Sequence, residues 1–258
     1  MKSVVVAQQK GGVGKTAFSL HLAWYFSQKK NKKVLFIDLD TQCNASYTLS
    51  VGKNPAYILN ESGDLFSKEI SVNIDEFNSE TLVLSKGSNS LADVQKLDLA
   101  KAAEIFIKNL EYLKRLNYFD YCIIDTPPSL SNTLACALLG SDYVICPIEL
   151  EMYSMQGISK MVDTILNLAH SNTNLNFLGL LPSKVDRRNP RHVRHLEQIN
   201  IHYSKYLIPC VIGLRSSIAN AVENGIPVWN DKKTAARKAS QEIIQSAEYI
   251  FEKLNVEV

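Results

Sequence analysis

The chain has 258 residues, 46% hydrophobic and 21% charged, values that exclude collagen-like, fibrous and disordered chains and leave material for a substantial core. Its five cysteines (Cys43, Cys122, Cys136, Cys146, Cys210) form an odd set without C-x-x-C spacing, which argues against both a disulfide framework and a zinc site. The net charge of +2 hides an asymmetry: Lys184 to Lys238 holds eleven Lys/Arg against four Asp/Glu, and six of the seven arginines. Such a segment suits a polyanion, although a charge run is also an ordinary solvated face. No apolar run approaches the roughly 18 residues that span a bilayer. The first ten residues run straight into a glycine-rich loop, so no signal peptide is expected and a reducing, cytoplasmic setting fits.

Val4 to Ala7 is a short continuous apolar run ending at glycines, as expected for a strand buried on both faces. A helix from Thr16 to about Lys30 follows, with apolar residues at Phe18, Leu22, Tyr25 and Phe26. Strands are then expected at Val34 to Asp38, near Leu82 to Leu84, and at Tyr121 to Asp125, Tyr143 to Cys146 and Phe177 to Leu181. Helices are expected at Leu97 to Leu116, Thr133 to Leu139, Gly157 to Ala169, Pro190 to Tyr203 and about Thr234 to Leu254. The stretch Val51 to Asn78, with Gly52, Pro55 and Gly63, suggests helix fragments and loops. The alternation calls for an α/β fold, a mostly parallel twisted sheet with helices on both faces, in one domain over residues 1 to 258. Ligands of such sheets bind at the carboxyl ends of the strands.

Lys10-Gly11-Gly12-Val13-Gly14-Lys15-Thr16 lies between an expected buried strand and an expected helix. Glycines permit turns that aim successive N–H groups inward, and the helix N-terminus adds partial positive charge, so the segment suits phosphate. Lys15 would neutralise β/γ-phosphates and the Thr16 hydroxyl would coordinate Mg²⁺. A glycine-rich turn with a fortuitous lysine is the bland alternative. Two strands end in acids: Asp38-Leu39-Asp40 and Asp125-Thr126-Pro127-Pro128. Asp125, behind an apolar strand, suits holding Mg²⁺, usually through water. Asp38 and Asp40 lie two apart in extended chain and point the same way, with a helix N-cap or ion pair as the alternative role for Asp38.

The early Lys10 before two glycines, where the ordinary phosphate loop has its first glycine at Gln9, resembles the deviant Walker A P-loop ATPases of the ParA/MinD family. The resemblance covers most of the chain and is weak from Val51 to Ser90. It implies ATP and Mg²⁺ as cofactors, with Lys10, Lys15 and Asp40 catalytic. Lys10 would reach the ATP phosphates of a partner protomer in a homodimer, and Asp40 would orient the attacking water. Lys10, Gly11, Gly12, Val13, Gly14, Lys15, Thr16 and Ala17 would hold the nucleotide, Ile208-Pro209 would lie near the base, and Thr16, Asp38 and Asp125 would serve the metal. Two positions depart from the pattern: Cys43 stands where the family carries glycine, so the switch loop is expected to differ, and Ala17 replaces a hydroxyl residue, which removes an α-phosphate hydrogen bond. No histidine is placed to activate Cys43 as a nucleophile.

Three outputs compete. Asn189 and Pro190 start a helix whose inward stripe is expected to be Val193, Leu196, Ile199 and Tyr203, leaving Arg191, Arg194 and His195 outside. With Arg187, Arg188 and Arg215, and with Lys232, Lys233, Arg237 and Lys238 at the start of the last helix, these form a candidate surface for nonspecific double-stranded DNA. The resemblance to ParA/Soj-type partition ATPases supports that output. It implies slow hydrolysis stimulated by a ParB-like adaptor, nucleoid association, and the segregation or positioning of plasmid or chromosome DNA. A MinD-like positioning ATPase acting at the membrane or on another cargo is the alternative, but the tail from Glu248 to Val258 carries three glutamates against one lysine, which an anionic bilayer repels. The stripe Ala236, Ala239, Ile243, Ala247, Ile250, Leu254 instead suits the buried face of a closing helix. A metabolic P-loop enzyme is the third class; Cys122 and Cys146 lack the glycine-rich setting of a shared iron–sulfur cluster.

Overall fold

The computed structural model of the protein describes residues 1–51, 55–150 and 154–256, so Gly52 of the middle stretch and Glu257 and Val258 of the tail lie outside it. In chain order the strands are β1 (Lys2–Val6), β2 (Val34–Asp38), β3 (Tyr57–Glu61), β4 (Leu82–Lys86), β5 (Tyr121–Asp125), β6 (Tyr143–Glu149) and β7 (Asn176–Ser183). They form one seven-stranded sheet in the order β3-β4-β2-β5-β1-β6-β7, with every pairing parallel. The expected mostly parallel sheet with helices on both faces is what the chain forms.

The strands bury both faces, and their period of two divides the core. Val5, Leu35, Ile37, Cys122, Ile124 and Val144 face one layer, while Val4, Val6, Phe36, Ile123 and Ile145 face the other. The first layer is covered by α4 (Leu99–Arg115), α5 (Asn132–Gly140) and α6 (Ser154–Ser171), through residues such as Phe106, Leu110, Ala137, Met161 and Ile165. Asp98 caps α4, its side chain accepting from the Lys101 N–H, which starts that helix two residues later than its apolar pattern suggests. The second layer is covered by α1 (Lys15–Trp24), which widens into a π-helical turn at Tyr25–Lys29, and by α9 (Ala236–Asn255). The α9 stripe Ala236, Ala239, Ile243, Ala247, Ile250 and Leu254 is buried there, as its spacing implies. No helix among the described residues is long and apolar enough to cross a membrane.

Five elements differ from their sequence patterns. The middle stretch contains the edge strand β3, hidden because its five residues are half-buried or exposed and give no apolar alternation. Also unforeseen are α2 (Asn44–Val51), the short α3 (Leu91–Val94) and α8 (Ser216–Glu223). In α7 (Pro190–Tyr203), Val193 is exposed, and the inward positions are taken by His192, Leu196 and Ile199 with His195 half-buried. Loop backbone beneath α7 needs polar partners: His192 Nδ1 accepts from the Asp186 N–H at 3.0 Å, and His195 Nδ1 meets the Leu150 carbonyl at 2.7 Å.

His21, fully buried in α1, joins that helix to the 3₁₀ turn Val228–Asn230 (Val228 at its start). Nδ1 pairs with the Ala17 carbonyl at 2.6 Å, Nε2 accepts from the Val228 N–H at 3.1 Å, and the Trp24 and Trp229 rings lie edge-on. With the carbonyl requiring a donor and the N–H an acceptor, the ring is neutral and protonated at Nδ1. Burial lowers its pKa to about 4. The unfolded chain therefore takes up a proton near pH 6.5 that the folded chain refuses, so this contribution to stability is present above pH 6.5 and is lost as pH falls toward 4. Between pH 7 and 5 the loss is roughly 2 kcal/mol. The raised pKa of Asp125 acts in the opposite sense, so the comparison is made between variants: in urea melts, His21→Gln should be the less stable protein at pH 7 and should lose less than wild type on going to pH 5. Equal losses in the two proteins would contradict the role given to His21.

Candidate functional site

Four strand ends build the site. The Thr126 hydroxyl donates to the Val6 carbonyl at 2.8 Å and the Leu39 N–H to the Asp125 carbonyl at 3.0 Å, so the carboxyl ends of β1, β2 and β5 are laced together. The segment Gln8 to Gly14 leaves β1 there and turns into α1. Gly12 and Gly14 have φ of 77° and 94°, where a side chain is strained, and a Cβ on Gly14 would also stand 2.9 Å from the Ser183 hydroxyl at the end of β7. No side chain caps α1 and no acid occupies its first turn. Its first N–H groups are thus left for an anion in the loop.

Lys15 is buried, with Nζ 3.4 Å from the Lys10 carbonyl; burial lowers its pKa, opposed by the charges of Asp125 and Asp40. Asp125 is also buried. One oxygen accepts from the Ser19 hydroxyl at 2.9 Å, while the other, Oδ2, is buried with no hydrogen-bond partner. Its pKa rises to about 7, through burial first and the Asp38 charge second, against the Ser19 hydrogen bond and the nearby Thr16 hydroxyl. An unpartnered buried carboxylate oxygen beside a threonine hydroxyl is the donor set that a hydrated Mg²⁺ satisfies, so these residues fit the metal. The site thus brings together Gly11, Gly12, Val13, Gly14, Lys15, Thr16, Ala17 and Asp125.

The two acids of the D-x-D pair part company. Asp38, buried and in register with Asp125, accepts from the Asp40 N–H through Oδ1 and from the Ser46 N–H (2.8 Å) and hydroxyl (2.7 Å) through Oδ2. The Ser46 hydroxyl in turn accepts from the Gly87 N–H at 2.8 Å, behind β4. Asp38, expected in the metal shell, has both oxygens bonded to protein donors here, which tie it to Asp40 and to the first turn of α2. Burial raises its pKa despite those bonds. Asp40 is half-buried and accepts from the Gln42 N–H at 2.9 Å, and its carbonyl takes the Cys43 N–H at 2.9 Å. Cys43 does not make the loop differ in the expected way: it enters the left-handed region itself, at φ 54°.

Ile208 and Pro209, expected near the base, run alongside β7. The Ile208 N–H bonds the Leu180 carbonyl, below the strand ends, with Ile208 buried, and Pro209 lines a groove along α9 with Ile244 and Tyr249. The same stretch reaches the edge at Ile212 to Leu214, where the Val185 N–H donates to the Ile212 carbonyl and the Val185 carbonyl accepts from the Leu214 N–H, each at 3.0 Å. There a polar pocket of about 460 Å³ is lined by Asp186, Arg187, Arg188, Arg215, Lys238 and Glu242, among others. Arg187, Arg188, Arg191, Arg194, Lys232, Lys233, Arg237 and Lys238 are all exposed. Arg215 is a partner of α9: its guanidinium forks onto Glu242 at 2.8 and 2.7 Å, which neutralises it. Ser19, Ser46, Gly87 and Glu149, which anchor the site's charged groups, were not singled out from sequence; only Ser19, one helical turn beyond Lys15, carried a spacing signal.

A family model described as an AAA domain matches residues 1–177. The protein IncC of Escherichia coli is 46% identical over 259 residues, which cover 99% of this chain and 71% of IncC. The chromosome-partitioning ATPase Soj of Treponema pallidum is 24% identical, over 88% of each chain. A plasmid partition protein of Borrelia burgdorferi, solved with AMPPNP, superposes with a TM-score of 0.68 at 24% identity, over 98% of this chain and 99% of that one.

The chain belongs to the ParA/MinD family of P-loop ATPases. The structure gives that assignment a cost at Cys43, where this member of the ParA/MinD family holds a left-handed backbone without glycine, a conformation that costs an L-residue about 1–2 kcal/mol. Cys43→Gly should therefore stabilise the fold by a net of about 0.5–1 kcal/mol once the freer unfolded chain is counted, seen as a higher urea midpoint. Cys43→Ala, which removes the thiol and keeps the strain, should not; equal gains from both substitutions would contradict backbone strain as the cause.

Proposed function

We propose that this chain is a ParA-type partition ATPase, in which Mg-ATP closes two protomers into a homodimer that binds duplex DNA without sequence preference and hydrolyses ATP slowly. The observation that carries the reading is the contrast between two lysines of one loop: Lys15 is buried beneath it, while Lys10, five residues earlier, has 46% of its side chain exposed at the open edge. A buried lysine serves the nucleotide held by its own loop. An exposed one can reach a nucleotide presented from outside, and two facing triphosphates concentrate negative charge that a lysine from each side offsets.

In this reading Gly11 to Ala17 hold the phosphates, Thr16 and Asp125 hold hydrated Mg²⁺, Asp40 orients the attacking water, and Asp38 positions Asp40 through its backbone N–H. Mg²⁺ supplies charge neutralisation at the β/γ-phosphates. The DNA surface comprises Arg187, Arg188, Arg191, Arg194, Lys232, Lys233, Arg237 and Lys238, without Arg215. Arg187, Arg188 and Lys238 share one pocket wall, which joins the turn after β7 to the start of α9. Hydrolysis stays slow because, among the described residues, Asp40 is the one acid offered to the water, and a ParB-like adaptor bound at a centromere would complete the arrangement. The protein would then be nucleoid-associated. The buried apolar stripe of α9 leaves that helix no face for a membrane, which favours DNA over the MinD-like output.

Fluorescence anisotropy with unrelated duplexes tests both halves of the proposal. With Mg-ATP, binding should fall linearly against log salt between about 50 and about 300 mM, with a slope set by the phosphates contacted. Lys10→Ala should bind ATP yet lack the ATP-dependent gain in DNA affinity. Salt-independent binding, or the same ATP-dependent gain in Lys10→Ala, would overturn the reading.

A further inference from the structure

Lys10 is exposed but not unattached. Its Nζ lies 2.9 Å from Glu149 Oε2, at the end of β6, the strand beside β1 in the sheet. Among the described residues this is the one ion pair of Lys10. Glu149 is 23% exposed, and the next carbonyl, of Leu150, is held by His195 of α7, so the carboxylate stands on an anchored segment while the lysine is the mobile member.

We propose that Glu149 is a positioning residue that holds Lys10 against its own protomer until a nucleotide-loaded partner arrives. The inference rests on the trans role of Lys10 proposed above and adds the device that regulates it. In a lone protomer the ammonium pairs with Glu149. To serve the partner's triphosphate it must leave, and both protomers must release their lysines for one dimer to close. Exposed ion pairs of this kind bias a side chain by roughly 1.5- to 5-fold, and the two releases multiply, so the pair weakens the dimer by about 2- to 25-fold. One triphosphate carries several negative charges against the single carboxylate, so the loaded encounter wins and the empty one does not. Glu149 therefore sets the ATP threshold for assembly without contacting the reacting atoms.

The test is Glu149→Gln, which keeps the shape and removes the charge. Light scattering across an ATP titration should show its dimers forming about 2- to 25-fold more readily than wild type. The affinity of the protomer for a fluorescent ATP analogue, compared on the Lys10→Ala background, should be unchanged by Glu149→Gln. In the nucleotide-free protein, the NMR resonance of ¹³C-dimethylated Lys10, assigned by its loss in Lys10→Ala, should move on Glu149→Gln. A wild type that dimerises with ATP while Glu149→Gln dimerises equally or less readily overturns this inference alone, as does an unmoved Lys10 resonance or a nucleotide-affinity gain that accounts for the whole shift. A wild type that stays monomeric with ATP overturns the dimer reading and the inference with it.

Discussion

The site depends on one electrostatic constraint: a cation and a carboxylate are buried together beneath a glycine loop, with too few protein partners to satisfy them. Among the described residues, Lys15 is desolvated with only a long contact to a carbonyl, and Asp125 keeps one buried oxygen unpaired. Such groups are costly to leave in a protein interior, and they are tolerated where a ligand completes them. Triphosphate and Mg²⁺ are chemically matched to the two deficits, the one bringing acceptors to Lys15 and the first turn of α1, the other a donor-rich hydration shell to Asp125.

The sheet is what keeps this constraint in place. Parallel strands buried on both faces bring their carboxyl ends to one edge, and lacing through Thr126 and Leu39 sets β1, β2 and β5 in fixed register there. The edge then extends in both directions. Toward β4, Asp38, Ser46 and Gly87 tie the D-x-D segment to α2; toward β7, Ser183 closes against Gly14 and the chain turns out into the basic pocket. Glycine loop, D-x-D segment and basic pocket are neighbours along one rim.

What could be seen in the sequence follows from range. The Val4 to Ala7 run, the Gly12 and Gly14 turns and the acids ending β2 and β5 are local patterns, and each lies where its pattern implies. The α9 stripe was equally plain. Pairings across the fold were not: Glu149 lies 139 residues from Lys10, and Arg215 finds Glu242 on another element, so neither advertises its partner. His195, expected on the outer face, turns inward beside His192 because loop backbone there needs partners. Strand β3 escaped notice since an edge strand with half-exposed residues shows no apolar alternation. Asp38 shows the limit most clearly: its spacing from Asp40 was correct, but the hydrogen bonds that occupy it come from a helix whose start carried no recognised signal.

The central claim is that Lys10 acts on the nucleotide of the other protomer, and mixing two inactive proteins tests it most directly. Lys10→Ala lacks the travelling lysine and Asp40→Ala lacks the water-orienting acid, so each should hydrolyse ATP poorly alone. In a mixed dimer, the site of the Lys10→Ala protomer keeps its own Asp40 and receives Lys10 from its partner. The account predicts that hydrolysis returns on mixing, at one site per dimer. If Lys10 serves only its own nucleotide, both sites of the mixed dimer are defective, and a mixture no more active than its components would contradict the account.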